Sequence, residues 1–212
     1  MCSGRVDLRF VLRAFSAGHD GVFIGGCKLG ECNYVTHGNY DALGVAHIAK
    51  RLLARVGLRP ERLHIAFMSG GDGNILADAV SGFSAKVREL GPLGEGEGID
   101  RDLLATKLAA LDRLVPFLRL AERERLRPPR KSKDAYEAFF GSDSFDALFD
   151  EVVADKLAVS EIMLLLGKEP LATGEIAARL RLSPSEVSRH MQSSSRHGWV
   201  RYDVERKRYS LA

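Results

Sequence analysis

The chain of 212 residues is long enough for one medium domain or two small ones, and its 45% hydrophobic and 28% charged content is ordinary for a folded globular protein. No apolar run approaches the roughly 20 residues that span a bilayer, and the N-terminus lacks the layout of a signal peptide, so we expect a cytoplasmic protein. The net charge of +3 is too small to indicate nucleic-acid binding by itself. The excess positive charge lies after residue 155, where ten basic residues are accompanied by six acidic ones.

The first 92 residues alternate helical patterns with short apolar runs that are typical of buried strands. The helical patterns lie at 7–17, 39–56 and 74–90, and the apolar runs lie at 20–26 and 63–68. This order predicts an α/β domain with three layers, in which a small parallel sheet lies between helices. A helix that begins so near the first residue of such a unit normally follows a strand, so we expect the domain to be truncated at its first strand.

Residues 93–155 are predicted to form a helical connector. The glycine-rich run 91–98 is expected to be a flexible linker or a surface loop, and the leucine pattern of 99–126 predicts a long helix. The basic run 127–133 contains adjacent prolines, which favours a solvated linker over a nucleic-acid patch. A helix with an aromatic face is predicted over 134–154, and that face either packs on this chain or docks a partner protein.

Residues 156–212 resemble a winged-helix domain, because an apolar helix is followed by a helix-turn-helix pattern and by two strand-like segments around a charged turn. If the domain binds DNA, its third helix would contact the bases and its wing would contact the phosphates. The candidate residues are Ser185, Ser188, Arg189 and Gln192 on the helix and Arg206, Lys207 and Arg208 on the wing. Winged helices also serve as protein docking modules, and the local charge excess is small for DNA binding, so both roles stay open.

The three cysteines, Cys2, Cys27 and Cys32, all lie in the first 32 residues. An odd, clustered set without a secretory signal argues against a disulfide framework and favours metal or redox chemistry, although free cysteines are also common as small buried apolar residues. No arrangement of serine, histidine and aspartate, and no pair of carboxylates, indicates independent catalysis.

The motifs around these cysteines resemble the delta subunit of methyl-viologen-reducing hydrogenase, the iron–sulfur subunit that links hydrogenases to heterodisulfide reductase. The resemblance covers about residues 1–92 and is carried by CSGR at 2–5, by Cys27 and Cys32 in a GC-x4-C pattern followed by GNY, and by RPERL at 59–63. It implies a [2Fe-2S] cluster held by cysteines. Cys2, Cys27 and Cys32 match the last three cysteines of the family, whose upstream cysteines are absent here.

An all-cysteine [2Fe-2S] cluster needs four thiolates, so three are not enough. The missing ligand and the missing strand together predict an N-terminally incomplete chain, and one hypothesis is that an upstream selenocysteine codon was read as a stop. Alternatively, the cluster has been lost, or zinc has replaced it with His19, His37 or His47 as the fourth ligand.

Three functional hypotheses follow. The first is an electron-transfer subunit of a multi-subunit oxidoreductase complex, for which the resemblance implies a heterodisulfide-reductase-like flavoprotein as one partner. A hydrogenase, formate dehydrogenase or benzoyl-CoA-reductase-type complex would be the other source or sink of electrons. The second hypothesis is a redox-sensing winged-helix transcription regulator that binds DNA. The third is a scaffold subunit that has no cluster or holds zinc.

Overall fold

The computed structural model describes residues 2–34 and 38–212. The helices in these ranges are α1 (Leu8–Ser16), α2 (Asn39–Arg55), α3 (Gly73–Leu90), α4 (Arg101–Glu124), α5 (Lys133–Phe140), α6 (Asp143–Leu166), α7 (Thr173–Leu180) and α8 (Pro184–Arg196). The strands are β1 (Val22–Gly26), β2 (Leu63–Phe67), β3 (Val200–Asp203) and β4 (Arg208–Leu211). None of the described helices combines the length and the apolar character that crossing a membrane requires.

The predicted parallel α/β arrangement is confirmed. β1 and β2 pair in parallel, with Ile24 opposite Ile65. Since successive residues of a strand face opposite sides of a sheet, Phe23 lies on the other face, where its ring contacts Phe83 of α3. Ile24 and Ile65 pack with α1 and α2 in the main hydrophobic core. The small sheet therefore lies between α3 and the other helices, as the three-layer prediction required.

One hydrophobic core joins the N-terminal domain to the predicted connector. It includes Leu12 of α1, Leu52 of α2, Leu111 of α4 and Phe149 of α6, each at most 2% exposed. Burial of apolar side chains is the main favourable contribution to folding, so these helices support one another. The aromatic face predicted near 134–154 is buried in this core, which means that it packs on its own chain.

The helix predicted over 134–154 is wrong in its boundaries, because two helices occupy this region. α5 ends at Phe140 before Gly141, and Ser142 caps α6 by accepting a hydrogen bond from the backbone N–H of Phe145. No glycine or proline occurs between 143 and 166, so nothing in the sequence interrupts α6. The boundary predicted between 155 and 156 lies inside this continuous helix, and the division into domains stays a prediction.

The glycine-rich segment 91–98 is an ordered surface loop, which is one of the two alternatives predicted for it. The loop closes around the side chain of Arg62, which is 0% exposed and pairs with Glu97 at 2.6 Å. The guanidinium group also donates hydrogen bonds to four backbone carbonyl oxygens, those of Asp20, Leu90, Gly91 and Pro92. Arg62 thereby attaches the loop to the start of β2.

The predicted helix-turn-helix with a C-terminal hairpin is also confirmed. α7 and α8 pack on the last turns of α6, and β3 pairs antiparallel to β4 with Val200 opposite Leu211. A second, smaller core contains Ile162, Ile176 and Val187. α6 contributes to both cores, so it links the N-terminal and C-terminal parts of the chain directly.

The ring of His47 in α2 stacks on Phe140 with its centroid 4.4 Å away. Burial lowers the pKa of His47 to about 4, and the nearby charges of Lys50 and Arg51 act in the same direction. The unfolded chain takes up a proton near pH 6.5 whereas the folded protein does not, so the stabilisation is complete above pH 6.5 and is lost as the pH falls toward 4. We expect this histidine to account for about 1 to 2 kcal/mol of the stability lost between pH 7.5 and 5, after allowance for partial exposure.

Urea unfolding at pH 7.5 and 5 checks this prediction in the wild type and in His47→Gln, which should lose correspondingly less stability. His19→Gln is the matched control, because it makes the same change at an exposed position. The prediction would be contradicted if His47→Gln lost as much stability between pH 7.5 and 5 as His19→Gln does.

Candidate metal centre

The three predicted ligand cysteines come together near the carboxyl end of β1. Cys27 directly follows β1, Cys32 lies further along the same loop, and Cys2 precedes a single 3-10 turn at Ser3–Arg5. The sulfur atoms of Cys2 and Cys32 are 3.8 Å apart. The Cys27 thiol interacts with both of them, and all three thiols are free and half-buried. The structure thus brings together the three cysteines that the sequence nominated as ligands.

Close packing holds the CSGR turn against β1. The sulfur of Cys2 accepts a hydrogen bond from the backbone N–H of Gly4 at 3.4 Å. A Cβ on Gly26, the last residue of β1, would lie 2.9 Å from the Ser3 hydroxyl oxygen, so the absence of a side chain there allows the approach. The Ser3 hydroxyl is buried and has no hydrogen-bond partner in the described part of the chain.

Cys32 lies at the N-terminus of α2. Hydrogen bonds from the backbone N–H groups of Tyr34 and Asn39 lower the pKa of Cys32. A helix N-terminus also carries partial positive charge, which favours the thiolate, the form that binds metals. Gly38 is required beside it, because a Cβ there would lie 2.5 Å from the Cys32 sulfur and against the carbonyl oxygen of Tyr34.

Cys27 has the opposite electrostatic environment. Burial raises the pKa of Cys27, and the neighbouring thiols of Cys32 and Cys2 raise it further. Adjacent thiolates repel one another unless a cation lies between them, so the cluster of three sulfur atoms favours binding of a positively charged metal centre.

Asn39, the first residue of α2, is a site residue that our sequence analysis did not single out. It is 1% exposed, and its side-chain amide donates hydrogen bonds of 2.7 Å to the carbonyl oxygens of Cys27 and of Lys28. The same nitrogen lies 3.7 Å from the Cys27 sulfur. The GNY motif was the available signal, but the contact with Cys27 depends on how the loop folds back onto α2.

The cysteine loop is also tied to the loop that follows β2. Lys28 pairs with Asp72 at 2.9 Å, and the Ser69 hydroxyl donates to the Glu31 carboxylate at 2.7 Å. Asp72 in turn accepts the backbone N–H of Ser69. The partners in the two contacts between the loops, Lys28 with Asp72 and Glu31 with Ser69, are some 40 positions apart along the chain, so no local pattern could have predicted them.

No group of three or more histidine, cysteine, aspartate or glutamate side chains within residues 2–34 and 38–212 is arranged to hold a metal ion as it stands. Of the histidines considered as zinc ligands, His19 is exposed and His47 is stacked on Phe140. His37 lies outside the described residues. The site is therefore a set of three neighbouring thiols, and no described contact joins a histidine to it.

The predicted DNA-contacting residues separate into two groups. Six of them are exposed on α8 or on the turn between β3 and β4, and five of these six have no ion pair to another helix within residues 2–34 and 38–212: Ser185, Ser188, Gln192, Arg206 and Lys207. Arg189, the sixth exposed residue, forms a bidentate ion pair with Asp155 of α6, at 2.9 and 3.1 Å. Arg208 pairs with Glu175 at 2.9 Å. Both arginines are thus engaged within the chain.

The side of α8 that carries Arg189 faces the rest of the protein. Asp155, Arg189 and His190 line a cavity of about 300 Å³ that also reaches the end of α2. Burial and the adjacent Arg189 lower the pKa of His190. Arg189 therefore pairs with α6 while its side chain stays 59% exposed to solvent.

Together these features define a class of protein in which a small α/β domain with a cysteine cluster is followed by a helix-turn-helix module. The chain belongs to the family of the methyl-viologen-reducing hydrogenase delta subunit, whose family model matches residues 1–91. A second family model, described as bacterial regulatory protein, arsR family, matches residues 158–192. The family membership and the C-terminal helix-turn-helix inferred from the sequence are confirmed.

Similar proteins with curated names match the N-terminal part of the chain. The iron-sulfur subunit of the F420-non-reducing hydrogenase of Archaeoglobus profundus is 43% identical over 91 residues, which are 43% of this chain and 66% of that protein. The vhu iron-sulfur subunit of the F420-non-reducing hydrogenase of Methanopyrus kandleri is 39% identical over 92 residues, or 69% of its length. One subunit of the ferredoxin:CoB-CoM heterodisulfide reductase of Methanosarcina mazei is 36% identical over 108 residues, which are 51% of this chain but only 13% of that protein.

Proposed function

We propose that this protein is an iron–sulfur subunit of a multi-subunit oxidoreductase complex and that it transfers electrons between the partner proteins. The observation that carries the proposal is the convergence of Cys2, Cys27 and Cys32 in a family whose relatives include proteins named iron–sulfur subunits of hydrogenases. The match spans about two thirds of those hydrogenase subunits and a small part of the reductase polypeptide, so it supports a shared domain and leaves the function of the whole chain as our proposal.

The residue types at this site are those that bind iron–sulfur clusters. Thiolates are the usual ligands of such clusters, and Cys2, Cys27 and Cys32 would provide three of the four that a [2Fe-2S] centre needs. The unpartnered Ser3 hydroxyl beside them is a buried donor that suits a sulfur acceptor. When bound, a [2Fe-2S] centre supplies one-electron transfer. The chain's own residues hold the thiols together, exclude part of the solvent and direct N–H groups at the sulfur atoms.

We further propose that one partner is a flavoprotein of the heterodisulfide-reductase type. In the Methanosarcina mazei relative, a segment similar to this chain is part of the reductase polypeptide itself. Domains that are joined in one protein often interact when they occur on separate chains. The other redox partner belongs to the hydrogenase, formate dehydrogenase or benzoyl-CoA-reductase type.

Anaerobic purification from native cells, without overexpression, tests the proposal. We expect the protein to co-purify with flavin-containing and iron–sulfur proteins and to show an electron paramagnetic resonance signal after reduction, with iron and acid-labile sulfide present. A native protein that purifies alone and contains neither iron nor sulfide would contradict the proposal.

A redox-sensing transcription regulator is the second candidate, and the arsR-type match together with the exposed basic turn at Arg206 and Lys207 favours it. The ion pair of Arg189 with Asp155 counts against it only slightly, because the two side chains are 59% and 61% exposed and such a pair contributes roughly 0 to 1 kcal/mol.

The salt dependence of binding to double-stranded DNA separates the two candidates. If the wing contacts phosphates, the double variant Arg206→Ala/Lys207→Ala should weaken binding to all sequences alike and reduce the slope of log K against log salt by about 2. The exposed pair Lys86 and Glu89 on α3 offers the control Lys86→Ala, far from the wing along the chain. Our proposal expects no sequence-specific binding by the wild type, and a tight, operator-specific complex would favour the regulator.

A further inference from the structure

We infer that Asn39 is a positioning residue that fixes the position of Cys27 relative to Cys32. This inference rests on the proposed role of these cysteines as cluster ligands. One residue contacts both of them. The backbone N–H of Asn39 hydrogen-bonds to the Cys32 sulfur, and its side-chain amide binds the Cys27 main chain and lies 3.7 Å from the Cys27 sulfur.

Asn39 is itself held in place by α2. The following turns of the helix are anchored by Ala42, Ala46 and Ala49, each 0% exposed. The side chain of Asn39 is buried, so its amide is shielded from competing water. A hydrogen bond from this amide therefore fixes the Cys27 carbonyl relative to α2. Residues around metal sites commonly orient the metal ligands through hydrogen bonds of this kind.

The chemistry requires an amide at this position. Both of the close acceptors are carbonyl oxygens, at Cys27 and Lys28, so the side chain must donate twice through one nitrogen. An aspartate has the same shape but can only accept when ionised, and it would face two carbonyl oxygens without a proton to share. Asn39→Asp thus removes the donors and preserves the size of the side chain.

The amide also has an electronic consequence for the ligand. Hydrogen bonds to ligand sulfur stabilise negative charge there, and they are one of the factors that set the reduction potential of iron–sulfur centres. Loss of the amide should make the bound centre harder to reduce, so its reduction potential should become more negative.

Site-resolved alkylation of the full chain tests the positioning role before any metal is added. Trypsin separates the three cysteines, which fall in the peptides 1–5, 14–28 and 29–50. Under native, reducing conditions we expect iodoacetamide to modify Cys27 about tenfold faster in Asn39→Asp than in the wild type. In the wild type the loop must break the amide hydrogen bonds before it opens locally and exposes Cys27, whereas in the variant these bonds are already absent. Cys2 should react at its wild-type rate.

The matched control is Asn74→Asp, the same substitution at an exposed position on α3, which should leave all three rates unchanged. An unchanged Cys27 rate in both Asn39→Asp and the uncharged variant Asn39→Ser would overturn the inference. Equal acceleration of all three cysteines would overturn it as well, because Asn39 would then support the fold in general. Asn39→Ser, which keeps one donor, provides an intermediate variant and should give an intermediate rate.

Redox titration of the protein purified anaerobically from native cells, followed by electron paramagnetic resonance, provides the second measurement. We expect a more negative reduction potential in Asn39→Asp than in Asn74→Asp, and equal potentials would refute the electronic part of the inference. If the wild type purified from native cells contains no iron and sulfide, the proposed function fails, while the alkylation rates still decide whether Asn39 positions Cys27.

Discussion

Cys32→Ser is expected to reduce the iron and acid-labile sulfide of the protein, purified anaerobically from native cells, from the wild-type content to near zero. Cys32 has the largest expected effect among the ligands, because its sulfur contacts Cys2, interacts with Cys27 and accepts backbone N–H groups at the start of α2. A serine hydroxyl keeps a similar shape but does not ionise to a soft anionic ligand near neutral pH. Iron and acid-labile sulfide analysis, with visible absorption, provides the measurement.

The control for this substitution is the stability of the metal-free protein toward urea. Cys32→Ser changes one half-buried atom outside the hydrophobic core, so the urea midpoint of the apoprotein should shift only slightly. Ser69→Ala, in the loop that contacts the cysteine loop, is a second control that removes a hydroxyl without removing a thiol. Full iron and sulfide content in Cys32→Ser would show that Cys32 is not a ligand.

Glu97→Gln is expected to destabilise the protein by about 3 kcal/mol or more, since it leaves the Arg62 guanidinium buried without a counter-charge. Arg62 is 0% exposed, and its contacts to Glu97 are 2.6 and 3.0 Å. Urea or thermal unfolding at pH 7 measures the effect.

The effect of Glu97→Gln should also depend on pH. Burial by itself would raise the pKa of Glu97, but the hydrogen bonds from Arg62 and from the backbone N–H of Arg59 lower it overall. A carboxyl group with a lowered pKa stabilises the folded state above its unfolded pKa, near 4.3, and this contribution disappears as the pH falls through the folded pKa. The difference between wild type and variant should therefore shrink below about pH 4.

The exposed pair of Lys86 and Glu89 offers a matched control, because Glu89→Gln makes the same chemical change at a solvated ion pair with a 2.9 Å separation. Solvent-exposed pairs contribute roughly 0 to 1 kcal/mol, so little change is expected there. If Glu97→Gln and Glu89→Gln lowered the free energy of unfolding equally, the buried pair would contribute no more to stability than the exposed pair.

The sequence predicted the α/β domain and the helix-turn-helix well because both depend on local patterns. Strands such as 20–26 are short apolar runs bounded by glycine, and α8 begins at the serine and proline of 183 and 184, which are typical of a helix start. The domain boundary predicted between 155 and 156 relied on a change of composition and stays a prediction, while an uninterrupted run of helix-compatible residues carries α6 across that position.

The candidate site was predictable to the extent that its residues carry their own chemistry. Cys2, Cys27 and Cys32 were recognisable from residue type, clustering and motif. Asn39 and Asp72 were not, since an asparagine at a helix start and an aspartate in a glycine-rich turn are common in any sequence. Their importance comes from contacts with Cys27 and Lys28 across the fold.

By itself, the sequence determined which chemistry is available to this protein: three thiols, a parallel α/β unit and a basic helix-turn-helix module. Only the tertiary structure decided how these parts are used. Packing of α2 against the core brings Asn39 to Cys27, and the course of α6 brings Asp155 to Arg189. Such contacts depend on side chains that are distant in sequence and become neighbours only when the apolar core forms, so no local pattern encodes them.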